Sequence, residues 1–92
     1  MSCTHFNEAR FRGFPVVGIL RAFRPDEIER LVPASLDGGL CNVEVTMNTP
    51  GAVQLIRRIA ELAGSRANVG AGTITSIALL DDAMNAGASF IV

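Results

Sequence analysis

Apolar and polar positions along this chain fall into two alternating patterns. Four short runs are largely apolar: Pro15 to Leu20, Leu40 to Thr46, Ala67 to Gly72 and Ala88 to Val92. Their length, their Val and Ile content and the glycines around them predict buried strands. Between the runs, apolar positions recur at a spacing near 3.6, the signature of a helix with one covered face. Ile28, Leu31, Val32 and Leu36 form one stripe; Val53, Ile56, Ile59, Ala60 and Ala63 form a second; Ile77, Leu80 and Met84 form a third.

Helix starts are marked by Pro25 with Asp26 and Glu27 behind it, by Thr49 with Pro50 in the first turn, and by Thr75 as a cap before Ser76. Glycines at 38–39, 64 and 87 predict the ends. Pro25, Pro50 and Thr75 are equally spaced, so the unit repeats about every 25 residues. Pro33 interrupts the first helix, where its ring meets the carbonyl four residues back, and a kink or an end near Val32 is expected. A short leading helix over Thr4 to Arg12, with Phe6 and Ala9 on one face, is also expected.

Strand, helix and parallel strand in succession define an α/β chain. Two closures are open to it, a small doubly wound sheet or a (β/α)8 barrel, which needs about 200 residues or more. The last run, Phe90-Ile91-Val92, has no helix after it, which favours a barrel portion. The expectation is a leader over residues 1–14, followed over 15–92 by three and a half units of a (β/α)8 TIM barrel, strands one to four.

Composition narrows the setting. The chain has 92 residues, 49% hydrophobic and 18% charged, with a net charge of −1. This balance excludes a disordered segment and a basic nucleic-acid arm. No apolar run approaches the roughly 18 residues of a membrane span. Two cysteines, Cys3 and Cys41, and one histidine do not make a zinc site or a disulfide framework, and a reducing, cytoplasmic location is expected. The first dozen residues lack the apolar core of a secretory signal. All eight basic residues are arginine; there is no lysine.

Candidate chemistry centres on the second strand. Alternation places Leu40, Asn42, Glu44 and Thr46 on one face and Cys41, Val43, Val45 and Met47 on the other. Parallel sheets are usually covered on both faces, so Glu44 needs either a partner, such as a structural arginine, or a function. Arg21, Asn48 and Thr73 each follow a strand, and such positions gather on the rim where α/β folds bind ligands. Arg21 also fits a solvated arginine, and Thr73 a turn residue. Gly70-Ala71-Gly72-Thr73 lets backbone approach a ligand closely, but Thr75 stands where a dinucleotide fingerprint has its third glycine. His5 reads as a surface residue. Arg57, Arg58 and Arg66 read as a solvated face meeting a helix dipole.

Val17-Gly18-Ile19-Leu20-Arg21, Val43-Glu44-Val45-Thr46, Val69-Gly70-Ala71-Gly72-Thr73 and Gly87-Ala88 leading to Phe90-Ile91-Val92 occur in order. Together, over about Pro15 to Val92, they resemble the 2-keto-3-deoxy-6-phosphogluconate and 4-hydroxy-2-oxoglutarate aldolases. The resemblance implies a (β/α)8 barrel, a homotrimer, and Schiff-base cleavage of a small keto acid to pyruvate and an aldehyde, with no metal or other cofactor. It implies Glu44 as general acid and base, with Arg21, Thr46, Asn48 and Thr73 binding substrate. Many members carry Arg at position 48; Asn there looks more like members acting on the 6-phosphogalactonate epimer. The family's lysine lies on a later strand, beyond residue 92, so the piece alone is expected to be inactive. The alternatives are a small α/β binding module and an inactive association fragment.

Overall fold

The computed structural model describes residues 5–92. In chain order it forms α1 (Glu8–Gly13), β1 (Gly18–Leu20), α2 (Pro25–Asp37), β2 (Asn42–Thr46), α3 (Ala52–Ala63), a 3-10 turn (Gly64–Arg66), β3 (Asn68–Gly72) and α4 (Ile77–Ala86). The strands make one parallel sheet in the order β1-β2-β3. The final run lies beside β3 in the same direction. There Ile91 bridges Ala71, and the Val92 N–H donates to the Ala71 carbonyl at 2.9 Å.

Sheet parity decides what each face does. Val43, Val45, Val69 and Ala71 join Ile28, Val32, Leu55, Ile56 and Ile59 in one apolar core. Helix α3 lies against β2 and β3, with α2 and α4 on either side of it. The other face is not roofed by a helix along its length: Ile19, level with Glu44 on β1, is 59% exposed. A doubly wound sheet would carry helices on both faces; this one carries a single helix layer.

The open face is closed by side-chain amides at the N-terminal ends of the strands. Asn42 and Asn68 open β2 and β3, and both are buried. The Asn68 amide donates to Asn42 Oδ1 at 2.9 Å and to the Asn7 carbonyl at 3.0 Å, while Asn42 Nδ2 donates to the Phe14 carbonyl at 2.9 Å. Buried amides are costly unless paired, so these bonds fasten the α1 segment beneath the sheet. Asn7 also caps α1, its Oδ1 accepting the Arg10 N–H at 2.8 Å. That cap is why the leading helix begins at Glu8 rather than near Thr4; Thr4, like Cys3, lies outside the described residues.

Helix boundaries depart from expectation at several points. Helix α2 does not end near Val32 but continues to Asp37, because Ile28, Val32 and Leu36 are all buried on one face and hold it on both sides of Pro33. Helix α3 begins at Ala52, since Thr49 is drawn into the site described below. The cap of α4 is Ser76, whose Oγ accepts the Leu79 N–H at 3.1 Å, not Thr75. Helix α4 also turns an unexpected face inward. Ala83 and Ala86 are buried, whereas Ile77 is 73% and Met84 40% exposed.

Surface arginines link helices rather than only meeting a dipole. Arg58 on α3 pairs with Glu29 on α2, donating from Nη2 at 2.8 Å, and with Glu61; Arg66 pairs with Asp37. The Arg58 guanidinium holds the Glu29 carboxyl below its ordinary range. Among the described residues no helix is long and apolar enough to cross a membrane.

The two apolar stripes of α3 and α4 should respond very differently to truncation. Ile59→Ala, at a fully buried position, should lower stability by about 2–5 kcal/mol. Ile77→Ala should change it by no more than about 0.5 kcal/mol. Urea denaturation of both variants beside the parent measures this. Equal losses would mean that α4 packs through the stripe read from its sequence.

Candidate functional site

The three polar residues on the inner face of β2 occupy three levels, all of them buried: Asn42 at the bottom, Glu44 in the middle and Thr46 at the top. Glu44 is 5% exposed and lies level with Ile19 on β1 and Gly70 on β3. Among the described residues it has no hydrogen-bond partner and no arginine beside it. The ion pairs there join Arg12, Arg24, Arg58 and Arg66 to surface carboxylates. The structural Glu–Arg pair that the sequence left open does not form among these residues.

The carboxylate fits because position 72 has no side chain. A Cβ added to Gly72 would collide with the Glu44 carboxylate, and one added to Gly70 would stand 2.5 Å from the ring of Phe90. The two glycines thus have a packing reason of their own. Each admits the side chain of a neighbouring strand position. Phe90 in turn meets Phe6 edge-on at 5.8 Å between ring centres. With Phe11, Val17 and Val92 these rings line a cavity of about 250 Å³. Its lining is apolar and offers no group for holding an acid.

Above Glu44 lies the rim. Thr46 Oγ1 is 2.8 Å from Thr49 Oγ1, and Thr49 Oγ1 accepts the Ala22 N–H at 3.0 Å. Thr49 is buried, and its role in the site escaped the sequence, where it passed for a helix cap. Arg21, the residue after β1, is exposed and makes no ion pair among the described residues. Asn48 is exposed in the turn after β2 and does not cap α3, whose N-cap is Gly51 with no side-chain bond. Thr73 follows β3, half-buried, with φ at 57°; Ala22, after Arg21, has φ at 61°. A left-handed β-branched residue is rare, and such strain persists only where the surroundings hold it. Arg21, Thr46, Asn48 and Thr73 are thus brought to one end of three adjacent parallel strands, with Glu44 one level below. His5 is exposed and Cys41 half-buried, both away from this rim.

The chain is similar to known proteins in sequence and in fold. Residues 7–92 match the family described as KDPG and KHG aldolase. The 2-dehydro-3-deoxy-6-phosphogalactonate aldolase of Escherichia coli (strain K12) is 36% identical over 78 residues, covering 85% of this chain and 38% of that protein. The 2-dehydro-3-deoxy-phosphogluconate aldolase of Zymomonas mobilis is 37% identical over 78 residues, covering 85% of this chain and 36% of that protein. A solved structure described as native KDPGal superposes with a TM-score of 0.80 at 35% identity, over 85% of this chain and 38% of that one. The chain thus spans well under half the length of the relatives it matches, in their N-terminal part, and its single-layered parallel sheet is the N-terminal part of a TIM barrel. The match over residues 7–92 makes the chain a member of the KDPG and KHG aldolase family.

Proposed function

We propose that this chain supplies the first strands of a homotrimeric Schiff-base aldolase. Its substrate is a 2-keto-3-deoxy-6-phospho sugar acid or 4-hydroxy-2-oxoglutarate, cleaved to pyruvate and an aldehyde. The observation that supports this reading most is Glu44: a residue only 5% exposed on the inner face, whose carboxylate has no protein partner among the described residues yet keeps contact with solvent, beneath the rim. In such a reaction a lysine amine adds to the keto carbon and water leaves. The resulting protonated imine accepts the electron pair released when the carbon–carbon bond breaks. The 92 residues contain no lysine, so that amine comes from outside them. Arginine does not replace it, because guanidinium stays protonated at working pH.

Each candidate residue then has a task. Glu44 passes protons to the departing water and from the hydroxyl of the bond being cleaved, acting as acid and then base. Arg21 and Thr73 hold the carboxylate and polar end of the keto acid. Thr46 adds a hydroxyl at the same level of the rim. Asn48 offers one acceptor and two donors, suited to reading a substrate hydroxyl.

The proton-transfer role is tested in the full-length protein by Glu44→Gln, which keeps the shape and removes the titrating group. Turnover should fall by about 10²–10⁴-fold, with substrate binding weakened far less. No loss of turnover, or equal losses in both, would make Glu44 structural.

Position 72 tests where the carboxylate must be. Gly72→Ala places a methyl group in the space that Glu44 occupies, so the side chain must swing away while the strand stays paired. Turnover should fall by up to about 10²-fold, the scale set by a misplacement of about 1 Å. Unchanged turnover in a folded variant would show that the carboxylate works from elsewhere.

Specificity is tested at position 48. Asn48→Arg replaces a neutral amide with a fixed, forked charge, and the ratio of kcat/KM on the galactonate and gluconate epimers should shift toward gluconate. A common fall in both efficiencies at a constant ratio would leave Asn48 with no part in choosing the epimer.

A further inference from the structure

Thr49 stands where the exits of two strands meet. Its backbone is fixed on both sides, its N–H donating to the Thr46 carbonyl at 2.9 Å and its carbonyl accepting from the Ala52 N–H at 3.1 Å. Its side chain, 5% exposed, reaches across to the loop after β1 and accepts the Ala22 N–H at 3.0 Å. A hydroxyl has one hydrogen and two acceptor sites, so Thr49 can serve Ala22 and still bond Thr46 Oγ1 at 2.8 Å in either direction. The bond to Ala22 joins residues 27 positions apart. Ala22 lies in the left-handed region, with φ at 61°, which residues with a Cβ enter only when held there. The residue immediately before it is Arg21.

We infer that Thr49 is a positioning residue: its hydroxyl holds Ala22 in the left-handed conformation and so fixes the direction in which Arg21 leaves β1. The inference rests on the reading of Arg21 as the group that holds the substrate carboxylate. A guanidinium on a long stem amplifies any change in backbone direction at its root. Loosening the Ala22 tie therefore spreads the guanidinium over many positions and weakens binding in the ground state and transition state alike. That pattern raises KM and leaves kcat nearly unchanged.

The test uses the full-length protein with Thr49→Val, which keeps the branched shape and drops the hydroxyl, and Thr49→Ser, which restores it. Thr49→Val should raise KM by about tenfold, within the range for a misplaced binding group, with kcat little changed. Thr49→Ser should return KM close to the parent value. Amide hydrogen exchange at Ala22 should be slow in the parent and in Thr49→Ser, and fast in Thr49→Val. In an Arg21→Ala background, Thr49→Val should add nothing further to KM. Parental KM in Thr49→Val, unchanged Ala22 exchange, a failure of Ser to rescue, or a KM effect that persists without Arg21 would each overturn the inference. If Arg21→Ala itself leaves KM unchanged, the carboxylate-holding role of Arg21 falls and this inference with it. That result is distinct from one in which Arg21 matters and Thr49 does not.

Discussion

Strand β2 is hydrogen-bonded along both edges, to β1 and to β3, and covered by α3 on one face, so all five of its residues are buried. A polar side chain in such a strand must find a partner on the inner face or remain unpaired at a cost. Asn42 and Thr46 find theirs at once, in the amide bonds to Asn68 and Phe14 and in the hydroxyl contact with Thr49. Glu44, between them, has none among the described residues, and its carboxylate oxygens keep contact with solvent instead. A parallel sheet also sends every strand in one direction, so the same constraint that isolates Glu44 places three strand exits directly above it.

The two ends of the inner face are held by different means. At the bottom, buried amides bond backbone carbonyls of the α1 segment and close the end with neutral, mutually satisfied groups. At the top, hydroxyls meet a backbone that enters the left-handed region at both Ala22 and Thr73. This division accords with the general rule for (β/α)8 barrels, in which the N-terminal face serves stability and the C-terminal face carries the chemistry.

Periodicity made much of this legible. Three of the four runs hold strands and the fourth meets β3 through a single bridge, and the parity of β2 places Asn42, Glu44 and Thr46 on one face. Legibility failed where a residue's partner is distant in sequence. Thr49 looks like a helix cap until Ala22 is seen beside it, and Asn68 looks like an ordinary polar strand residue until it meets Asn7, 61 positions away. Helix α4 failed for another reason. Its alanines and its larger apolar residues form two stripes, and hydrophobic size favours the wrong one, since Ala83 and Ala86 permit the closer approach. Pro33 was read by a local rule, and the packing of Val32 and Leu36 on either side overrode it.

The glycines of β3 show how the same letters support two physical accounts. Read alone, Gly70 and Gly72 suggest backbone laid bare for a ligand. In the sheet they are the inner-face positions of a strand whose neighbours both carry large side chains there, Phe90 on one side and Glu44 on the other. Glu44 is level with Gly70, yet its carboxylate lies over Gly72. The side chain therefore leans toward β3 and upward toward the strand ends, away from β1. The lean brings the carboxylate nearer the C-terminal end of β3, after which Thr73 follows, while Ile19 on β1 is 59% exposed. Two missing methyl groups thus make the inner face asymmetric. The carboxylate stands on the β3 side of that face, and Ile19 stands exposed on the β1 side.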